Sequence, residues 1–204
     1  MTKDEKIAKL GKEITDRATV LLGKDKITPD APEYLGINSA LKFTAVKYDE
    51  KMADDILDIA LTMKKRVPLT IEQLAKKNPQ FDRAYLEKAL QALSESGLVE
   101  FHWENLDGKN PNHEKRWVLD MFVPGSAEIM MINPEQADMF PETADFFERM
   151  AYLPLAGITE MVPPGGAGIG MHVIPVEKAI PAESKSLPIE HLSHWLKKYE
   201  GHIG

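Results

Sequence analysis

No cysteine occurs among the 204 residues. Disulfides, thiolate metal sites, cysteine-ligated iron–sulfur clusters and a cysteine nucleophile are therefore excluded within this chain. There is no unbroken apolar run of about 20 residues, the length a membrane helix needs. The start, Met1-Thr-Lys-Asp-Glu-Lys6, lacks the apolar h-region of a signal peptide, so the expected location is cytoplasmic, with no membrane partner. A basic excess is missing too. The net charge of −7 argues against generic nucleic-acid binding, which depends on Lys and Arg neutralising phosphates.

The acidity is unevenly placed. Residues 1–48 carry 9 basic and 7 acidic groups, residues 49–123 carry 11 and 14, and residues 124–204 carry 5 and 11. The acidic excess thus coincides with the most unusual stretch of the chain, Met161-VPPGGAGIGMHVIPVEKAI-Pro181. That stretch, residues 161–181, is apolar and rich in Gly and Pro. Pro163, Pro164, Pro175 and Pro181 each remove a backbone donor and fix φ, which rules out a helix. A polar linker would hold more Ser, Glu and Lys, and long ordered loops are usually functional. The segment reads as an extended docking element. Its expected interface residues are Met161, Gly165, Gly166, Gly168, Ile169, Gly170, Met171 and His172, the glycines allowing close backbone approach to a partner surface.

Apolar periodicity organises the rest into three parts. In residues 1–48, an N-terminal helix and connector, Ile7, Leu10, Ile14, Ala18, Leu21 and Leu22 recur at helical spacing. They predict a helix from Asp4 to Leu22 with Gly23 as its cap. Pro29, Pro32, Gly36 and Asn38 then predict an irregular connector over 24–48. Residues 49–123 give a sharper pattern. Asp49 is placed to cap a helix carrying Met52, Ile56, Ile59, Ala60 and Met63 and ending at Lys64-Lys65-Arg66, where cations suit the helix dipole. Thr70 and Gln73 stand in a capping-box relation at the start of a short helix to Lys77. Asp82 caps a third helix with Leu86, Ala89, Leu90 and Leu93 inward and Gly97 at its end. Strands are predicted at Leu98–Trp103 and Arg116–Val123, with Asp107-Gly108 as a hairpin signal. Helix, short helix, helix and two-stranded wing is the order of a winged helix-turn-helix. In residues 124–204, Ile129–Ile132 is predicted as a short strand. A helix is predicted from Pro134 or Glu135 to Met150, interrupted near Pro141, and a last helix from Pro188 to Tyr199.

Candidate chemistry is sparse. A DNA reader needs base-reaching groups on the third helix; its outward positions are Arg83, Glu87, Lys88, Gln91 and Glu95, and with Asp82 they carry three acids to two bases. Lys64, Lys65, Arg66, Lys76, Lys77, Lys109, Lys115 and Arg116 form a possible basic rim, equally explained as solvated ends. The glycines of 165–170 lack the preceding strand and following helix of a phosphate loop. His191 and His194, three apart on the last helix, are the only metal-ligand candidates, and no carboxylate or thiolate is well placed to join them.

The winged-helix order, the run Pro164-GGAGIGMHVIPVEKA-Ile180 and the segment Ile189-EHLSHWLKK-Tyr199 resemble the N-terminal region of a family of anaerobic bacterial oxidoreductases. These proteins contain a 4Fe-4S ferredoxin element and use FAD with pyridine nucleotides. Val173-Ile-Pro-Val-Glu-Lys-Ala-Ile180 carries the most specific match, and the likeness covers most of the chain. The resemblance implies that cluster cysteines and a flavin domain follow the last helix, and that any redox chemistry lies in those C-terminal cofactor domains. No cluster ligand or flavin residue transfers to this sequence, because it has neither cysteine nor a strand-linked dinucleotide fingerprint.

The expected fold is α+β, mostly helical: a winged helix with N-terminal helical and C-terminal helical and extended additions. The expected function is a non-catalytic docking or scaffold module of an iron–sulfur flavoprotein, an N-terminal fragment holding no cofactor itself. Its expected partner is the C-terminal cofactor domains or another copy of the chain. The alternative is a winged-helix DNA-binding regulator.

Overall fold

The structure, a computed structural model, describes residues 1–15, 27–105 and 108–141, the Pro124 side chain excepted. The chain divides into two compact units, Met1–Met161 and Val162–Gly204, and every described residue belongs to the first. That unit is mixed α/β and mostly helical, with a small three-stranded antiparallel sheet.

Helix α1 (Lys3–Ile14) opens with a complete capping box between Thr2 and Glu5. It ends eight residues before the Leu22 expected from periodicity. Thr15 turns extended, and both its N–H and its hydroxyl bond to the Gly11 carbonyl, which closes the last turn. Gly23 lies outside the described residues.

The predicted connector over 24–48 is corrected by the structure: Pro32–Lys47 is a sixteen-residue helix, α2. Pro32 starts it at the first helical position, where a missing N–H costs nothing. No amphipathic stripe announced this helix because it is buried on several sides, at Gly36, Ile37, Ser39, Ala40, Leu41, Phe43 and Thr44. Gly36 is required there: a Cβ would stand 2.7 Å from Cε2 of the buried Phe122 ring and 3.2 Å from Met130 Sδ.

Helix α3 (Glu50–Ala60) is capped by Asp49, whose carboxylate accepts from the Met52 N–H at 2.7 Å. It stops four residues short of Lys64, so the cations at 64–66 belong to the following turn rather than to the helix dipole. Strand β1 (Leu69–Thr70), absent from the sequence reading, precedes α4 (Ile71–Lys77). There the Thr70–Gln73 capping box forms as expected, with contacts of 2.9 and 3.3 Å. Helix α5 (Arg83–Glu95) is capped by Asp82, and it buries Leu86, Ala89, Leu90, Ala92 and Leu93. Gly97 follows with φ +80, a left-handed turn that glycine adopts without strain.

Strands β2 (Val99–His102) and β3 (Arg116–Leu119) pair antiparallel, Val99 opposite Leu119 and Phe101 opposite Trp117. β1 joins the other edge of β3, Leu69 opposite Trp117, giving the order β1-β3-β2. The strands are shorter than predicted, and the connection from residue 103 to residue 115 is longer than a tight hairpin. Buried Asn110 shapes it, donating to the carbonyls of Trp103, Glu104 and Glu114 and accepting from the Glu114 N–H. Such a loop is set by a side-chain hub, which a two-residue turn signal does not encode.

After β3 the chain makes a five-residue π-type turn, Phe122–Ser126, instead of continuing as strand to Val123. Ile129–Ile132, predicted as a strand, lies in helix α6 (Ala127–Ile132), which buries Ala127 and Met130. The π-type turn runs directly into α6, and a four-residue apolar run by itself does not distinguish helix from strand. Helix α7 (Pro134–Met139) begins at the proline foreseen and is capped by Asn133. Its predicted continuation to Met150, the 161–181 segment and the last helix lie outside the described residues. One apolar core joins α1, α2, α3, α5, the sheet and α6 through Ile7, Ile37, Ile56, Leu90, Leu119 and Phe122.

Candidate functional site: the cleft between helix α5 and the β2–β3 hairpin

The sheet places two kinds of surface on its two faces. Side chains alternate across a strand, so Val99, Phe101, Trp117 and Leu119 share one face with Leu69. Val99 and Leu119 are in the core, and Trp117 is covered. Phe101 is 39% exposed and Trp103 53% exposed. Their rings lie 5.9 Å apart, centre to centre. Lys115 lies along the same strip, its ammonium 3.9 Å from the Phe101 ring centre and 5.1 Å from that of Trp117. These distances fit cation–π attraction.

Beside the strip is an open cleft of about 530 Å³. Trp117, Glu114 and Lys115 line it from the hairpin, Thr70, Ile71 and Glu72 from the start of α4, and Arg83, Glu87 and Gln91 from α5. Arg83 is the cleft's main charged donor, and it is held from both sides. Its Nη1 meets Glu72 Oε1 at 2.9 Å and its Nε meets Glu87 Oε1 at 3.1 Å. Hydrogen bonds to Glu87 and then Glu72 hold its pKa above the usual guanidinium value. Glu72 is shifted the other way, chiefly by its own backbone N–H, with Thr70 and Arg83 adding to the effect. All three groups are solvent-facing, so the network orients side chains more than it stabilises the fold.

Three other bases of the possible rim are engaged too. Lys65 Nζ donates to the Thr15 carbonyl at 2.8 Å, and Lys77 Nζ to the Thr62 carbonyl at 3.0 Å. Arg116 Nη2 donates to the Lys109 carbonyl at 2.7 Å. Lys88, on the outer face of α5, stands 5.6 Å from the Tyr48 ring centre. Tyr48 in turn donates to Glu95 at 2.8 Å, and burial followed by that bond pushes its hydroxyl up to about 12.

A second locus lies at the end of β3. The Asp120 side chain is 1% exposed, with Arg66 Nη1 3.4 Å from Oδ1. Neither carboxylate oxygen takes a well-formed hydrogen bond. Burial first, then the neighbouring Glu100 carboxyl, pushes Asp120 up to about 7, against the pull of Arg66. Arg66 itself sits at φ 59, and a Cβ on Gly125 would come within 3.0 Å of Asp120 Cγ. The carboxyl is thus wedged between the turn after α3 and the π-type turn.

The sequence-derived candidates fare differently. Arg83, Glu87, Lys88 and Gln91 are exposed on α5, as read from its periodicity, and Glu95 is half-buried. The proposed metal pair His191 and His194 lies outside the described residues. So do all the proposed interface residues, Met161, Gly165, Gly166, Gly168, Ile169, Gly170, Met171 and His172. Among the described residues no group of three His, Cys, Asp or Glu is arranged to hold a metal. No described helix is long and apolar enough to cross a membrane. Sequence reasoning missed the aromatic strip, although the alternations Phe101-x-Trp103 and Lys115-x-Trp117 carried its signal. It also missed Asp120, for which an isolated acid in an apolar run (Trp117-Val-Leu-Asp-Met-Phe122) was the clue. No protein-family model, curated protein or solved structure matches the chain.

Proposed function

We propose that residues 49–123 form a winged helix used for protein docking rather than for reading DNA. In this reading the chain is the non-catalytic N-terminal docking module of an iron–sulfur flavoprotein oxidoreductase. The order α3, α4, α5, β2, β3, with β1 closing the sheet, supports the winged-helix assignment. The observation that carries docking over DNA reading is the state of Arg83. On the helix that would enter the major groove, the one arginine is bound to Glu72 and Glu87 at 2.9 and 3.1 Å. A bidentate contact to guanine would compete with these ion pairs, and a phosphate would approach Arg83 beside two carboxylates.

The redox parentage rests on the sequence resemblance. The chain has no cysteine to hold a 4Fe-4S cluster, so the cluster does not fit this chain, and no redox step is assigned to its residues. Cluster and FAD would belong to C-terminal cofactor domains. Two experiments test the two halves. Reading the source gene past codon 204 should reveal cluster cysteines and a dinucleotide-binding fingerprint; an open frame without them would overturn the parentage. Freeing Arg83 with Glu72→Gln and Glu87→Gln together should raise affinity for duplex DNA. Equal micromolar binding by the unaltered chain would overturn the docking assignment.

A further inference from the structure

We infer that the strip Phe101–Trp103–Lys115–Trp117 and the adjoining cleft form the docking face of this module, and that its occupant is a basic protein segment. The inference rests on the docking reading above and adds the surface and the chemistry of the partner. Three observations carry it.

The first is apolar continuity. The strip is an outward extension of the core, running from buried Leu119 and Val99 through Trp117 to the half-exposed rings of Phe101 and Trp103. Clustered aromatic rings with one wet edge are the commonest anchors of protein interfaces.

The second is that the cations of this face are already engaged. Arg83 is bound to two carboxylates, and Lys115 lies over two rings. An anionic partner would have to compete there with those carboxylates and rings.

The third is that acid is left over. Glu114, in the cleft wall, has no ion-pair partner among the described residues. Glu104, next to Trp103, has only His102 Nδ1 at 4.0 Å, and Glu72 and Glu87 share a single arginine. Four carboxylates against two committed cations give a rim complementary to Arg or Lys. A long basic side chain suits both features at once, because it lays its methylenes on a ring and keeps its charge in a polar rim. A second copy of the chain is a poorer occupant, since each copy carries a net charge of −7.

The test uses the full chain and two fluorescein-labelled twelve-residue peptides, (Arg-Pro-Leu)4 and (Glu-Pro-Leu)4, followed by anisotropy. The basic peptide should bind saturably and more weakly as salt is raised, and the acidic one should not bind. Trp103→Ala should weaken binding about tenfold, as loss of an interface aromatic does. Glu104→Gln with Glu114→Gln should weaken it about threefold, with circular dichroism unchanged. Two results overturn the inference: equal binding of both peptides, or binding unaffected by Trp103→Ala. Absence of both peptide and duplex-DNA binding overturns the partner's chemistry alone. DNA binding without peptide binding overturns the docking reading as well. Concentration-dependent dimerisation abolished by Trp103→Ala would assign the strip to a second copy and also overturn it.

Discussion

Asp120 gives the sharpest physical prediction. Its carboxyl is pushed from 3.8 up to about 7 in the folded protein, so between these values the fold binds a proton that the unfolded chain releases. Folding is therefore unpenalised by this group below about pH 4. It loses stability as pH rises toward 7 and levels off above that. About three pKa units at roughly 1.4 kcal/mol each set a ceiling of about 4 kcal/mol. Arg66 is 50% exposed, and local relaxation and water entry beside it bring the expected figure nearer 2 kcal/mol. Asp120→Asn keeps the shape, which matters because Gly125 leaves no spare room. It also removes the ionisable carboxyl that burial and Glu100 disfavour in its charged form. Urea unfolding followed by circular dichroism at pH 4.5, 6, 7 and 8.5 measures the effect. The variant should gain on the natural protein as pH rises, reaching an advantage of about 2 kcal/mol at pH 8.5. A stability difference constant across that range would refute the reasoning, and one that shrinks with pH would reverse its sign.

Gly36→Ala sets helix propensity, worth about 1 kcal/mol in favour of Ala, against overpacking of about 1–3 kcal/mol. The 2.7 Å approach to the fully buried Phe122 ring decides for net destabilisation, and a raised urea midpoint would contradict this. Thr70→Ala removes the hydroxyl accepting from the Gln73 N–H and should cost about 1 kcal/mol in urea unfolding; an unchanged midpoint would mean the cap contributes nothing. Arg83→Ala breaks only solvent-facing ion pairs and should change stability by less than about 0.5 kcal/mol. A larger loss would mean the network is structural.

Local signals made three helix caps legible, whereas the caps Thr2 and Asn133 went unread. Asp49, Thr70 and Asp82 were identified as caps from sequence alone, and all three accept the expected backbone N–H groups. Periodicity likewise set the buried face of α5. Legibility failed where tertiary packing overrides pattern. Helix α2 is enclosed on several sides and so shows no stripe, and its Gly36 reads as a helix breaker until Phe122 is seen against it. The 103–115 loop depends on Asn110 bonding to carbonyls up to seven residues away. At the candidate site, the exposure of α5 was readable. The neutralisation of Arg83 was only half readable: Glu87 lies one helical turn away, whereas Glu72 reaches it from another element.

The central claim is that the α5 face is closed to nucleic acid, and one measurement addresses it directly. A fluorescein-labelled random 20-base-pair duplex is titrated with the unaltered chain at 50 mM and 200 mM salt and followed by anisotropy. The account predicts no binding below about 100 µM protein at either salt, because Arg83 is held by Glu72 and Glu87 and the cleft lining carries three carboxylates, Glu72, Glu87 and Glu114, against Arg83 and Lys115. Micromolar binding at 50 mM salt that weakens steeply at 200 mM, and is lost in Arg83→Ala, would contradict it.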